Sequence, residues 1–141
     1  MKNQKSFTLI EILLVVAIIT IIGVSSTPFL SRFVLQTNFD SVVEKLIGSI
    51  RKAQEYAMDG KNGVVWGVCK STNNIRLYSG SCNSPTISEN FSIPSTVTVT
   101  GLNDANFNLR GEPSSPLSVT INTTIETKTI QLNSTGGLTI N

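Results

Sequence analysis

An α+β fold, with a long N-terminal helix packed on a small antiparallel β-sheet head, is what three features of the sequence predict. Residues before Pro28 form a nearly unbroken apolar run, apolar residues then recur at helical spacing as far as Ala57, and from Gly63 the chain breaks into short β-like runs. The 141 residues suit a single folded domain, yet the 40% that are hydrophobic are spread unevenly, so two different solvents are implied for the two halves.

The first element is "KSFTLIEILLVVAIITIIGV", residues 5–24. As a helix, residues 7–24 rise about 27 Å, close to the thickness of bilayer hydrocarbon. Lys2 and Lys5 are the only charges before the run, so the positive-inside tendency keeps the N-terminus cytoplasmic and sends everything after Pro28 across the membrane. Three readings fit this segment. It can be an ordinary secretory signal, with "MKNQK" as basic region, "ILLVVAIITIIGV" as apolar region and cleavage near Thr27. It can be a plain anchor, or a helix that leaves the membrane to pack into a bundle. Glu11 separates them, because a carboxylate in an apolar medium is costly unless something pairs with it. If a peptidase cuts between Ser6 and Phe7, the new α-amine at Phe7 supplies a cation four residues from that carboxylate.

"FTLIE" followed by a long apolar helix resembles the class III signal of type IV pilins and type II secretion pseudopilins. The resemblance implies that a prepilin peptidase removes residues 1–6 on the cytoplasmic side and N-methylates Phe7. It implies too that the retained helices, residues 7–28, span the membrane and then bundle into a filament core. Glu11 would pair with the Phe7 amine of a neighbouring subunit and set the axial register. The family pattern prefers Gly where this chain has Ser6. Pro28 matches the proline that bends many pilin helices as they leave the membrane, and it has a plainer reading as a helix end.

The amphipathic helix is expected over residues 29–61. Phe39, Val43, Leu46, Ile47, Ile50, Ala53 and Ala57 fall on one stripe at steps of three and four. Asp40, Glu44, Lys45, Arg51, Lys52 and Glu55 occupy the other, solvated face, and Gly60 and Gly63 mark the stop. Residues 62–141 make the β-rich head, with runs "VVWGVC", "NIRLYS", "STVTVT", "NFNLR", "PLSVTIN", "KTIQLN" and "LTIN". Their connections are too short for helical crossovers, so antiparallel pairing in one or two small sheets is expected. "SIRKAQEYAMDGKNGVVWGVC", "FNLRGEPSSPLSVTI" and "IQLNSTGGLTIN" resemble the GspH/FimT-type minor pseudopilins, which favours a minor subunit.

Cys69 and Cys82 belong to the part sent to an oxidising compartment, where a disulfide is expected; closing a loop of about 14 residues would contribute roughly 3 kcal/mol. Two unpaired thiols or a metal are the alternatives, and the lack of His and of CxxC disfavours the metal. Without His, a Ser-His-Asp or Cys-His arrangement is impossible, and no phosphate- or dinucleotide-binding glycine motif appears. Glu89, Asp104, Glu112 and Glu126 could meet in space but read as isolated surface charges. The chain is expected to be non-catalytic, with no cofactor and no metal.

Charge argues against nucleic acid as a partner. From Asn62 onward Lys70, Arg76, Arg110 and Lys128 balance Glu89, Asp104, Glu112 and Glu126, and loss of Lys2 and Lys5 takes the formal charge from +2 to zero. The expected partners are the prepilin peptidase, other pilin or pseudopilin subunits and the cytoplasmic membrane. From there the head would reach the periplasm or a surface filament. The competing expectations are a DNA-capturing minor pilin and a secreted β domain cut near Thr27. "NFS", "NTT" and "NST" match a glycosylation sequon of the kind that polar strands produce by chance.

Overall fold

The structure is a computed structural model and describes residues 7–141, the side chains of residues 25–29 excepted. Helix α1 (Leu9–Met58) is followed by a single 3-10 turn (Lys61–Gly63) and eight strands: β1 (Trp66–Ser71), β2 (Asn74–Ser79), β3 (Ile87–Ser92), β4 (Thr98–Thr100), β5 (Ala105–Phe107), β6 (Leu117–Asn122), β7 (Thr127–Leu132) and β8 (Leu138–Ile140). The chain divides into two compact units, Met1–Val34 and Leu35–Asn141. The fold is α+β, as the patterning predicts.

In the second unit, the α1 stripe is buried where the spacing places it: Phe39, Leu46, Ile50 and Ala53 are wholly inaccessible, and Val42 joins them. The helix ends because Gly60 takes a left-handed conformation, φ 60°, and closes the last turn by donating to the Ala57 carbonyl at 3.1 Å.

The strands form two four-stranded antiparallel sheets, ordered β3-β2-β1-β5 and β4-β6-β7-β8. Both turn alternate residues inward onto one core: Trp66, Val68, Ile75 and Leu77 from the first, Val99, Val119, Ile121 and Ile130 from the second. Ion pairs tie the helix to each sheet. Lys52 holds Glu89 of β3 at 2.6 Å, and Asp40 lies 3.6 Å from Lys128 of β7. The polar face of α1 is therefore divided: Glu44, Lys45, Arg51 and Glu55 are solvated, while Asp40 and Lys52 reach across to strands.

Two strands differ from the sequence expectation. β3, "ISENFS", is largely exposed and lacks an apolar alternation, yet it pairs with the whole of β2 from Asn74↔Ser92 to Ser79↔Ile87. "NFNLR" is a strand only to Phe107. Beyond it, Asn108 Oδ1 accepts from the backbone N–H of Arg110 and Glu112 at 2.8 and 3.0 Å, which bends the chain into a turn.

Candidate functional site

At the start of α1, Phe7 and Thr8 precede the helix, and the Thr8 carbonyl accepts from the N–H groups of Glu11 and Ile12 at 3.1 and 3.3 Å. Glu11 thus sits in the first turn, where a negative charge faces the positive end of the helix dipole. Its carboxylate is exposed and makes no ion pair among the described residues. Ser6, on the other side of the expected cut, lies outside the described residues with the rest of residues 1–6. Pro28 falls among the residues whose side chains are not described, and the helix assignment runs through it.

From Phe7 to Val24 every residue is exposed, the large apolar side chains ranging from Leu9 at 82% to Val15 at 47%, on all sides of the helix. An apolar helix bare all round is suited to lipid or to a bundle of like helices, not to water. Its other polar side chain in residues 9–24 is already satisfied: the Thr20 hydroxyl donates to the Val16 carbonyl at 2.6 Å. Glu11 is left as the group that needs a partner. Among the described residues no helix is long and apolar enough to cross a membrane.

In the head, Cys69 of β1 and Cys82 of the β2–β3 loop form a disulfide with Cα atoms 6.3 Å apart. Arg76, paired with Cys69 in register, donates to the Cys82 carbonyl at 2.8 Å and to Asn90 Oδ1 at 2.9 Å. Together these draw the loop over the outer face of the first sheet. On the same face the Tyr78 hydroxyl donates to Asp104, and the Asn106 side chain closes on it. Burial first, and the Asp104 carboxylate second, push the Tyr78 phenol well above its ordinary range, so it stays neutral.

The three head stretches that carry the minor-pseudopilin resemblance meet at Gln54. Its Nε2 donates to the Gly111 carbonyl at 3.0 Å and to the Gly136 carbonyl at 2.9 Å. Both glycines have positive φ, 74° and 84°, and a Cβ on Gly136 would stand 2.5 Å from the Gly111 carbonyl oxygen. One helical side chain thus fixes two loops. Sequence reasoning missed this role; the signal was a Gln beside a buried Ala on the helix's core face.

The scattered acids do not gather. Glu89 pairs with Lys52, Asp104 with Tyr78, Glu112 with Asn108 and Glu126 with Lys128, and among the described residues no group of three or more possible metal ligands forms. Nor do the cations collect: Lys128 lies between Asp40 and Glu126, Lys70 donates to the Val99 carbonyl, and Arg76 is bound to the β2–β3 loop.

With the unpaired Glu11 and the bare apolar helix in place, comparison with known families is specific. Residues 1–27 match the prokaryotic N-terminal methylation motif, the class III signal peptide of type IV pilin-like proteins. The chain therefore carries the signal of a type IV pilin-like protein, the kind that a prepilin peptidase processes. No curated protein and no solved structure matches the chain.

Proposed function

We propose that this chain is a structural, non-catalytic minor pilin or pseudopilin. In this reading it is held in the cytoplasmic membrane by its N-terminal helix, cut between Ser6 and Phe7, methylated at Phe7 and assembled with other subunits into a filament. The observation that carries the proposal is the pairing of the methylation motif with a helix that exposes apolar side chains on every side and a single carboxylate, Glu11. A buried ion pair is tolerated only when both partners are present, so the Phe7 amine of one subunit and Glu11 of the next would hold each other in register. A DNA-capturing role has less support, because the basic residues of the β region, Arg110 apart, are engaged with acids or carbonyls.

The test is the intact mass of the protein taken from its native membrane. A chain beginning at methylated Phe7 is expected. A start near Thr27 would mean a secreted domain with an ordinary signal, and a retained Met1 would mean an anchor that never enters a filament.

A further inference from the structure

Strand β5 leaves β1 early, and its departure opens a cleft. Val64 is extended, φ −124° and ψ 159°, and continues the line of β1 back toward the 3-10 turn. Successive residues of a strand direct their N–H and C=O groups to opposite neighbours. The Val65 carbonyl accepts from the N–H of Gly80 at 2.7 Å, on the β2 side, so the N–H and C=O of Val64 point to the β5 side. The residue due to pair with them is Leu109, two beyond the Trp66↔Phe107 pair. The turn built on Asn108 carries Leu109 away, and neither backbone group of Val64 makes a hydrogen bond among the described residues.

Where the pair is missing lies an open cleft of about 560 Å³. Ala57, Val64, Val65, Phe107 and Leu109 give it an apolar lining, and Leu109 is left 73% exposed. Gly60 and Gly63 add no side chain, so the main chain beside Val64 stays open to a ligand. Two charged residues line the cleft as well. Glu112 is engaged, one carboxylate oxygen accepting from Asn108 Nδ2 at 2.9 Å. The Arg110 guanidinium makes no hydrogen bond and no ion pair among the described residues.

An unpaired backbone donor and acceptor beside an apolar hollow is the arrangement of strand addition, in which main-chain hydrogen bonds hold a peptide and a pocket reads its side chain. An acyl chain fills such a hollow but leaves Val64 unused, and a nucleic acid needs several free cations. Arg110 adds a demand for one anion, and a guanidinium matches a carboxylate in geometry as well as charge. From this we infer that the cleft binds the C-terminus of an extended peptide ending in an apolar residue. The N–H of that last residue donates to the Val64 carbonyl, its side chain fills the hollow, and its carboxylate accepts from the Val64 N–H and from Arg110. A terminal carboxylate answers both Val64 and Arg110, whereas an internal Asp or Glu answers only Arg110. The inference rests on the head alone and stands whether or not the chain enters a filament.

The experiment holds the full chain in nanodiscs of zwitterionic lipid and titrates it against fluorescein-labelled Gly-Ser peptides ending in Ala, Val, Leu or Phe, reading anisotropy against empty discs. Saturable binding of at least one peptide ending in Val, Leu or Phe is expected, with the Ala peptide weakest. Converting the carboxylate of the bound peptide to an amide should weaken binding roughly tenfold, as the loss of a charge-assisted hydrogen bond does. Arg110→Gln should weaken it as much, with an unchanged melting temperature; if that variant melts early, Leu109→Ser changes an exposed wall of the cleft and replaces it. The inference is overturned if no peptide binds, if acid and amide bind equally, or if the folded variants bind like the wild type. It is overturned too if decanoate, which has the carboxylate and the apolar tail but no peptide N–H, binds as tightly. Substitutions that alter only self-association would likewise overturn it, by making the cleft a contact between copies.

Discussion

Gly67 lies between Tyr78 and Asn106 in the register of the first sheet, and the Tyr78 ring crosses directly above it. A Cβ there would stand 2.5 Å from the Tyr78 hydroxyl and 2.7 Å from the Ala105 carbonyl oxygen. Gly67→Ala should therefore cost about 1–3 kcal/mol in urea unfolding, the usual range for overpacking. The phenol itself leaves a pH signature. Its folded pKa is raised from 10.0, so its contribution is complete below that value and falls as pH rises above it, where the unfolded chain ionises first. Lys52 and Lys128, raised from 10.5 by hydrogen bonds to Glu89 and Glu126, act in the same alkaline window. Stability should be flat near neutrality and decline above pH 10; Tyr78→Phe should make that decline shallower without abolishing it. At Gln54 the loss is of hydrogen bonds: Gln54→Ala leaves two loop carbonyls without their donor and should cost about 1–3 kcal/mol. None of these three positions was legible in the sequence, because each depends on a partner brought close by register or by a distant loop.

Among the elements, β3 shows where patterning stops being informative. Its residues have little apolar surface to bury, so what holds it is its neighbours: backbone pairing to β2, the Lys52–Glu89 pair to α1, and the disulfide that tethers the loop leading into it. Reduction of Cys69–Cys82 should accordingly lower stability by roughly 3 kcal/mol, the chain-entropy value for a loop of this length. It should also raise amide exchange in β3 before it does so in β6 or β7, and uniform exchange across both sheets would refute this account. By contrast, α1 was legible because one period carries both its existence and its buried face, from Phe39 to Ala57. β6 was legible because "LSVTI" alternates apolar and polar throughout, and β7 because "TIQL" does so over its second half. β5 came out shorter than "NFNLR" suggested because the Asn108 side chain competes for the backbone N–H groups that a longer strand would need.

For the molecule as a whole, the chain divides into two units, and the short motif at the N-terminus carries the functional information. The signal was readable because its chemistry is local: a small residue, an aromatic, and an acid four positions on, ahead of an apolar helix. In the proposed filament the partner of Glu11 is the Phe7 amine of another copy, which the residues of one chain suggest only through the family resemblance. This sets up a discriminating variant. Glu11→Gln removes the charge and keeps the size; in an apolar bundle it strands the neighbouring Phe7 amine, at about 3–5 kcal/mol for a buried pair broken on one side. The head is built from Leu35–Asn141, so its melting temperature should not change. Processing should also proceed, giving an intact mass that begins at Phe7, while filaments recovered by shearing should fall at least tenfold. Ser6→Gly should act in the opposite place, raising the processed fraction and leaving assembly of processed subunits as it was. If Glu11→Gln blocked cleavage instead, the carboxylate would belong to recognition by the peptidase; if filaments formed normally, the pairing of Phe7 with Glu11 would be wrong.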